Sequence, residues 1–414
     1  MTNVAIIGAG VSGLTMAHLL KNKFKVTVFE RECTPGGLIR CKRVNNSLFH
    51  LCGGHVFNSK RQDVLNWFWS NFKQDEEFIK ADRNSVVYLN KGQEIPYPIE
   101  NHMYMMSPEI QKAFINDLLT MTKENYHTPN NFEDFLLYRF GPTLYNLYFK
   151  PYNEKIWKRT LNNVPLSWLE GKLPMPTIEE MIYNNINHLK EKSFVHSQFW
   201  YEKNGGSQFL ADRLANGLNI QYNTDIEDIS YDNKNHVWKI CNQEFTKVIF
   251  CGNIKELISN IKGIDLSSYY LPVESLEYHG TTAVFCEIDK NPYSWIYLPS
   301  KEYKSHRIIC TGNFSSSNNV SNRLTATIEF TDEINREEIE DNLKRIPLHP
   351  QYYTHQYNKY TYPIQDANTR DLIKELKKYL SKYNLYFTGR FADWEYYNMD
   401  VAMGAAMDLA NNIK

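Results

Sequence analysis

The chain has 414 residues, of which 46 are Lys or Arg and 47 are Asp or Glu, giving a formal net charge of -1. This length exceeds what a single hydrophobic core usually organises and predicts roughly two or three domains. The balanced charge excludes the global positive field of a protein that binds nucleic acid or an anionic membrane surface, so any anion site must be local.

Cysteine usage and the start of the chain indicate the compartment. The seven cysteines are an odd number without CxxC spacing, which favours reduced thiols. The first predicted strand starts at Asn3, which leaves no room for a signal peptide, and no apolar run approaches the ~20 residues of a membrane span. We therefore expect a cytoplasmic protein without a membrane span.

Residues 3–29 predict a strand, a glycine turn, a helix and a second strand. Gly8, Gly10 and Gly13 have the spacing G-x-G-x-x-G between the first strand and the helix. Gly8 permits the tight turn, Gly10 lets the backbone approach a pyrophosphate, and Gly13 lets helix and strand pack closely. Glu30 follows the second strand and is placed to accept hydrogen bonds from a ribose hydroxyl. The pattern favours dinucleotide binding, and a plain glycine turn in an α/β core is the alternative.

A second glycine turn just past Glu30 favours FAD over NAD. Pro35, Gly36 and Gly37 can let the chain lie along the far side of a dinucleotide, where Arg40 can meet its charge. A surface ion pair is the alternative for Arg40. We assign the cofactor to Gly8, Gly10, Gly13, Glu30, Gly37, Leu38, Arg40, Gly54, Arg390 and Met399.

The rest of the chain predicts an α/β protein: a Rossmann-type FAD-binding domain with a helical insert and an antiparallel sheet domain. Strand, turn and strand are expected over residues 48–57, and a hairpin around Gly92. Helical patterns with proline and glycine breaks cover residues 109–125, 132–140, 143–149 and 178–190. Short strands that return the chain toward the nucleotide domain are expected at residues 220–222, 226–231, 237–240 and 247–250.

Domain limits follow from these patterns. The FAD-binding domain is divided among three segments, and the hairpin, the helical insert and the substrate-side sheet separate them. The predicted segments are 1–82 (FAD-binding, first part), 83–99 (sheet hairpin), 100–198 (helical insert), 199–265 (FAD-binding, second part), 266–365 (antiparallel sheet, substrate side) and 366–414 (FAD-binding, C-terminal part).

Three motifs outside the glycine turns can carry chemistry. In Gly53-Gly54-His55, glycines let the backbone pass close to a flat ligand beside an imidazole, although a buried structural histidine is the alternative. The stretch PYNEKIW, residues 151–157, can hold a base or sugar by stacking and hydrogen bonding, or can be core. Arg307 lies in a strand-like stretch, where alternation aims it opposite to Ile308, and it needs a ligand phosphate or an acidic side chain as partner.

Aromatic and polar residues also crowd the loop that opens the last helix. Arg390, Trp394, Tyr396 and Tyr397 precede Asn398 there, and a helix N-terminus suits a flavin edge or a diphosphate. The sequence has no CxxC redox pair, no metal-ligand spacing and no G-x-S-x-G motif, so no metal is expected and flavin chemistry is favoured by elimination.

With these motifs in family order, the chain resembles the flavin-dependent nucleotide-sugar mutases, the UDP-galactopyranose mutase family, along its whole length. GGHVF is similar to the family's histidine loop beside the flavin, and PYNEKIW to its nucleotide and sugar site. The resemblance implies catalytic roles for His55, Arg307, Tyr362 and Tyr396, with the arginine and both tyrosines on the substrate diphosphate, and a flavin contact for Arg390. The residues implied to bind substrate are Tyr97, Asn153, Trp157, Lys172 and Asn398.

The family's chemistry requires reduced FAD, whose N5 attacks the anomeric carbon while the nucleoside diphosphate leaves, so that the sugar ring can close at another size. The resemblance therefore implies a pyranose–furanose mutase for a nucleotide-diphosphate sugar used in cell-surface polysaccharide biosynthesis. The external reductant and the oligomeric state stay open, a homo-oligomer being one option.

Some positions depart from the family pattern. Lys172 occupies the place of a second arginine, and a lysine cannot make the bidentate contact. Ile99 and Glu100 stand where an aromatic residue and an amide commonly meet uracil, and Asn398 where many members have aspartate. The nucleotide and the sugar therefore stay open.

Two alternatives share the same FAD half. A flavin amine oxidase or desaturase explains the cofactor and Gly205-Gly206 before a helix, but it needs no anion clamp. A flavoprotein that binds a nucleotide sugar without turning it over is the second alternative, and turnover separates it from a mutase.

Overall fold

The computed structural model describes residues 2–89, 92–122, 128–166, 176–189 and 197–413. Within this part of the chain, strands and helices alternate at both ends and helices dominate between residues 99 and 189. In chain order the strands are β1 (Asn3–Ile7), β2 (Lys25–Phe29), β3 (Cys41–Val44), β4 (Ser47–His50), β5 (Phe78–Asp82), β6 (Ser85–Tyr88), β7 (Glu94–Pro96), β8 (Gln198–Glu202), β9 (Ile220–Gln221), β10 (Ile229–Asp232), β11 (Val237–Ile240), β12 (Gln243–Phe245), β13 (Lys247–Phe250), β14 (Ile261–Lys262), β15 (Tyr278–Ile288), β16 (Trp295–Tyr297), β17 (Arg307–Ile309), β18 (Leu324–Thr331), β19 (Gln351–Pro363) and β20 (Leu385–Phe387).

The α-helices pack on the sheets or form the insert. In chain order they are α1 (Val11–Leu20), α2 (Gln62–Asn71), α3 (Gln74–Glu77), α4 (Pro108–Met121), α5 (Phe132–Leu144), α6 (Lys150–Trp157), α7 (Ile178–Asn187), α8 (Gln208–Ala215), α9 (Ile254–Asn260), α10 (Ser267–Glu274), α11 (Arg336–Leu343), α12 (Thr369–Ser381) and α13 (Met399–Asn412). No helix in the described part of the chain is both long and apolar enough to cross a membrane.

A parallel sheet in the order β20-β13-β1-β2-β9 forms the nucleotide-binding half. Its central strand β1 is almost wholly apolar and buried, as expected for a strand covered on both faces. Helices α1, α8 and α13 contribute apolar residues to the same core as β1. The predicted βαβ opening and the α/β class are confirmed.

Four short strands between residues 220 and 250 are predicted to lead the chain back to the nucleotide domain. Two of them join this sheet. β9 pairs with β2 and β13 pairs with β1, whereas β10 and β11 lie in a separate sheet in the order β12-β11-β10-β14. That sheet buries Trp238 against the parallel sheet. Long-range pairing decides sheet membership, and a four-residue pattern cannot reveal it.

The substrate-side sheet has the order β19-β15-β18-β17-β16-β6-β7. Its strands from β15 to β19 pair antiparallel, as predicted. The predicted hairpin β6-β7 forms and extends this sheet through a parallel contact between β6 and β16. One face, with Ile296, Ile308 and Ile328, packs into an apolar core with α11. On the other face, Tyr297 and Ile309 pack into the core of the helical insert, and Ile309 also lies against Gly54 of the nucleotide-binding half.

The helical insert differs from the sequence expectation at its centre. Gly141 has a φ of 77° and breaks the helical backbone within α5, at the predicted glycine and proline break. Residues 145–149 then form a π-helical turn before α6, which carries Asn153 and Trp157.

The strand predicted for residues 55–57 is wrong, because only Phe57 makes an isolated bridge, to Trp200. Gly53, with a φ of 67°, ends strand geometry there.

Candidate active site

The first glycine turn has the close packing that dinucleotide binding needs. Gly8 has a φ of 101°, and a Cβ at Gly13 would lie 1.9 Å from the carbonyl oxygen of Gly8. No residue with a side chain fits at Gly13 unless strand β1 and helix α1 separate. Helix α1 starts after Gly10, and no side chain caps it, so its first N–H groups are available to a phosphate.

Glu30 ties the turn together. Its Oε2 accepts a hydrogen bond from the Ala9 N–H at 2.6 Å, and its Oε1 accepts one from the Glu32 N–H at 2.9 Å. The side chain is buried. Each carboxylate oxygen keeps a further lone pair, so contact with a ribose hydroxyl stays a prediction that this geometry permits.

The second glycine turn packs directly on the first. The Gly36 N–H donates to the Ala9 carbonyl at 2.8 Å, and a Cβ at Gly37 would lie 3.2 Å from the Cα of Gly10. Arg40 Nη1 lies 2.9 Å from a Glu32 carboxylate oxygen, which is the ion pair considered as the alternative. A bound diphosphate would therefore share Arg40 with Glu32.

His55 is held between this turn and the sheet. Its Nε2 lies 3.0 Å from the Leu38 carbonyl oxygen, which can only accept, so Nε2 carries the proton. Burial and the charge of Arg390 lower the pKa of His55 to about 4, so the ring is neutral near pH 7. A Cβ at Gly54 would lie 2.4 Å from Ile309 Cγ2, which explains glycine beside this histidine.

Arg307 projects from the sheet face that carries Tyr297 and Ile309. Tyr297, Arg307 and Glu329 are register partners across β16, β17 and β18, so their side chains form one row on one face. Ile308 lies in the apolar core on the opposite face. The alternation predicted for this strand is confirmed.

Glu329 is the acidic partner of Arg307 and was not identified from the sequence. It forms an ion pair with Arg307 Nε and accepts a hydrogen bond from the Gly53 N–H at 2.8 Å. Burial alone would raise the pKa of Glu329, but the Arg307 guanidinium outweighs it, and the net pKa lies well below the usual range. The signal in the sequence is a glutamate within the apolar strand LTATIEFT, facing Arg307 across the sheet.

Tyr362, Tyr396 and Arg390 continue the cluster. Arg307 Nη2 donates to the Tyr362 hydroxyl at 3.1 Å. The Tyr362 and Tyr396 rings are parallel within 3°, with centroids 5.4 Å apart. The Arg390 guanidinium carbon lies 4.0 Å from the Tyr396 ring centroid and 5.4 Å from that of Tyr362. The fold thus brings Arg307, Tyr362 and Tyr396 together, although Tyr396 lies almost ninety residues beyond Arg307 in the chain.

Arg390 has the features of a cation that awaits an anionic ligand. Its Nε is buried without a hydrogen-bond partner, and no ion pair with it occurs among the described residues. A Cβ at the preceding residue, Gly389, would lie 3.2 Å from Ser12 Oγ in the first turn of α1. A half-buried guanidinium with a buried, unsatisfied Nε next to a glycine cradle fits a dinucleotide cofactor.

The candidate substrate residues on the insert are close to the same row. The Tyr97 ring centroid lies 5.0 Å from that of Tyr297, the register partner of Arg307. Trp157 is buried in the insert core. Asn153 is also buried, and its Nδ2 donates to the Phe149 carbonyl at 2.8 Å, which leaves its Oδ1 for a ligand.

Tyr152 was missed, although it belongs to the same motif as Asn153. Its ring centroid lies 5.5 Å from that of Tyr297. Burial raises the pKa of Tyr152 well above the usual range, and the charge of Arg307 opposes this rise. The neutral hydroxyl of Tyr152 therefore lies close enough to Arg307 to interact with its charge.

The remaining predicted substrate and cofactor residues lie at the edge of this site or outside the described part of the chain. Asn398 is exposed and starts helix α13, and Met399 is buried against α1. Lys172 lies outside the described residues.

Comparison with known proteins gives a consistent result for the fold. A family model described as an NAD(P)-binding Rossmann-like domain matches residues 6–72, from the first strand through the histidine loop to α2. The crystal structure of a reduced UDP-galactopyranose mutase superposes with a TM-score of 0.87 at 21% identity, covering 100% of this chain and 95% of that one.

Two curated relatives match over nearly their whole length. UDP-galactopyranose mutase of Mycoplasma genitalium is 22% identical over 422 residues, covering 97% of this chain and 92% of that protein. The dTDP-fucopyranose mutase of Escherichia coli is 22% identical over 441 residues, covering 99% and 98%. The resemblance indicated by the motifs is confirmed, because the chain is similar over nearly its whole length to UDP-galactopyranose mutase and dTDP-fucopyranose mutase, which are isomerases.

Proposed function

We propose that this protein is a flavin-dependent mutase that interconverts the pyranose and furanose forms of a nucleoside-diphosphate sugar, with reduced FAD as cofactor. The observation that carries the proposal is the continuous contact of Arg307, Tyr362, Tyr396 and Arg390. Such a cluster of cations and phenols suits a diphosphate, whereas a desaturase or amine oxidase needs no anion clamp.

The residues of the two glycine turns would hold FAD. Gly8, Gly10 and Gly13 let the pyrophosphate approach the start of α1, and Glu30 is placed for the ribose. Arg390 would supply the positive charge that the cofactor needs. When bound and reduced, the flavin supplies a nucleophilic N5 for the anomeric carbon.

Arg307 and the two tyrosines would hold the leaving diphosphate. Glu329 orients the guanidinium through Nε and leaves Nη1 free for a phosphate oxygen, while Nη2 reaches Tyr362. Burial raises the pKa of Tyr362, so its hydroxyl stays a neutral donor. Holding the leaving group still near the flavin lowers the barrier by positioning and electrostatics, and a strong protein acid or base is not needed.

The decisive experiment incubates dithionite-reduced and oxidised protein with UDP- and dTDP-hexopyranoses and follows the furanose isomer by chromatography. We expect isomerisation by the reduced protein only. Oxygen-dependent peroxide from an amine would instead support the oxidase alternative, and binding without isomerisation would support a flavoprotein that does not turn the sugar over.

Arg307→Ala tests the diphosphate clamp directly. Loss of a charged hydrogen bond should weaken UDP binding by about 1.5–3 kcal/mol. Isothermal titration calorimetry measures the loss, and Arg345→Ala, at an exposed helix pair with Asp341, is the control. Unchanged affinity in Arg307→Ala would contradict the clamp.

A further inference from the structure

We propose that His279 and Lys155 are positioning residues that hold helix α6 on the substrate-side sheet, and that His279 does so only as a doubly protonated imidazolium. The inference rests on the proposed function, because α6 carries Tyr152, Asn153 and Trp157. It adds two residues outside the diphosphate site on which nucleotide affinity depends.

His279 bridges the sheet and the end of α6. Its Nε2 lies 2.9 Å from the Trp157 carbonyl oxygen, and its Nδ1 lies 3.0 and 3.1 Å from the two carboxylate oxygens of Asp332. A carbonyl and a carboxylate can only accept hydrogen bonds, so both ring nitrogens must donate. A neutral imidazole has one N–H and can satisfy only one of these partners.

Asp332 is the carboxylate that this arrangement requires. Burial alone would raise the pKa of Asp332, but the hydrogen bond and charge of His279 outweigh it and lower the pKa. The Gly280 N–H also donates to Asp332 Oδ1 at 3.1 Å. A protonated Asp332 that donates to the ring is therefore disfavoured near neutral pH.

Lys155 makes the second anchor, two residues before the end of α6. Its Nζ donates to the carbonyl oxygens of Leu298, Ser300 and Ser305 at 2.6, 2.7 and 3.1 Å. These carbonyls belong to the loop between β16 and β17, the strands that bear Tyr297 and Arg307. Three carbonyl acceptors match the three donors of an ammonium, although burial lowers the pKa of Lys155 to about 7.

The anchor residues connect directly to the candidate site. His279 is the register partner of Tyr362 in the pairing of β15 with β19. Asp332 follows the end of β18, three residues after Glu329. Release of the Trp157 carbonyl would therefore loosen α6 where the insert meets the residues proposed to hold the diphosphate.

Other charged and titratable groups surround the bridge that His279 forms between Asp332 and Trp157. Lys158, after α6, adds positive charge near both Asp332 and Lys155. Tyr357 of β19 and Glu333 also surround Asp332, and Arg159 pairs with Glu277 beside His279. The bridge is complete only while both ring nitrogens of His279 donate and Asp332 accepts, so removing one of these groups releases a partner.

The test measures UDP and dTDP binding to the flavin-loaded protein by isothermal titration calorimetry at pH 7. His279→Gln, which removes the charge and one of the two donor atoms, should bind about tenfold more weakly than wild type, as expected for losing one charged hydrogen bond. His279→Arg, which keeps the charge and several N–H donors, should restore most of the affinity.

A control and a second variant separate the two anchors. His349→Gln removes an exposed histidine that pairs with Asp289 at 2.6 Å and should keep the wild-type affinity. Lys155→Met should lower affinity about tenfold. Full wild-type affinity in Lys155→Met would overturn the role of Lys155.

Hydrogen–deuterium exchange gives a readout that needs no ligand. Amides of residues 150–158 should exchange faster in His279→Gln than in wild type at the same pH, and wild-type protection there would overturn the inference. Wild-type affinity in His279→Gln would overturn it as well. If neither wild type nor any variant binds either diphosphate, the proposed function fails, while exchange still decides the role of His279.

Discussion

The two arginines of the candidate site, Arg307 and Arg390, have opposite electrostatic surroundings. Arg307 is paired with Glu329, a carboxylate that is only 1% exposed and is also fixed by the Gly53 N–H. Arg390 lies over two tyrosine rings, and none of the described residues forms an ion pair with it. The first guanidinium is neutralised and oriented before a ligand arrives, and the second is not.

This difference assigns different tasks to the two regions. A pre-paired arginine offers directed N–H donors with little net charge, which suits a leaving group that must be held and then released. An unpaired, half-buried cation carries a desolvation cost that a bound anion removes, which suits a cofactor that stays. The three substitutions below test this division.

Glu329→Gln should have the largest effect, because it leaves the Arg307 charge without its buried partner. Breaking such a pair typically costs about 3–5 kcal/mol. Urea unfolding of the flavin-free protein measures the loss. Glu338→Gln, at the exposed pair with Lys304, should cost at most about 1 kcal/mol. Equal losses in the two variants would show that Arg307 is not held by a buried charge.

Arg390→Met should separate stability from cofactor binding. The flavin-free protein should be at least as stable as wild type, because an unpaired cation is removed. Affinity for FAD should fall by about 1.5–3 kcal/mol, as for a lost charged hydrogen bond. Flavin fluorescence titration measures the affinity, and unchanged FAD binding would place the cofactor charge elsewhere.

Tyr362→Phe should have the smallest effect. The ring keeps its stacking on Tyr396, and only the hydroxyl that accepts from Arg307 Nη2 is lost. UDP affinity should fall by about 1 kcal/mol, less than in Arg307→Ala. A loss as large as that of Arg307→Ala, in matched calorimetric titrations, would make the phenol an equal partner in the clamp.

The sequence alone determined the parts of the site that are local. The glycine turn, helix α1 and Glu30 lie within thirty residues, and their backbone requirements fix glycine at Gly8 and Gly13. The alternation around Arg307 predicted its face, because side chains of a strand alternate regardless of its partners. His55, Arg307, Tyr362 and Tyr396 were found through the family resemblance, and only the fold shows that Arg307, Tyr362 and Tyr396 form one cluster.

Only the tertiary structure decided which charges meet. Arg307 pairs with Glu329 because strand register places them opposite each other in neighbouring strands. Arg40 pairs with Glu32 because the segment between β2 and β3 folds back on itself. The same holds for His279, which meets Asp332 and the end of α6 across three separate segments. Short-range geometry is encoded by neighbouring residues, whereas the protonation and pairing of buried groups depend on contacts between residues far apart in the chain.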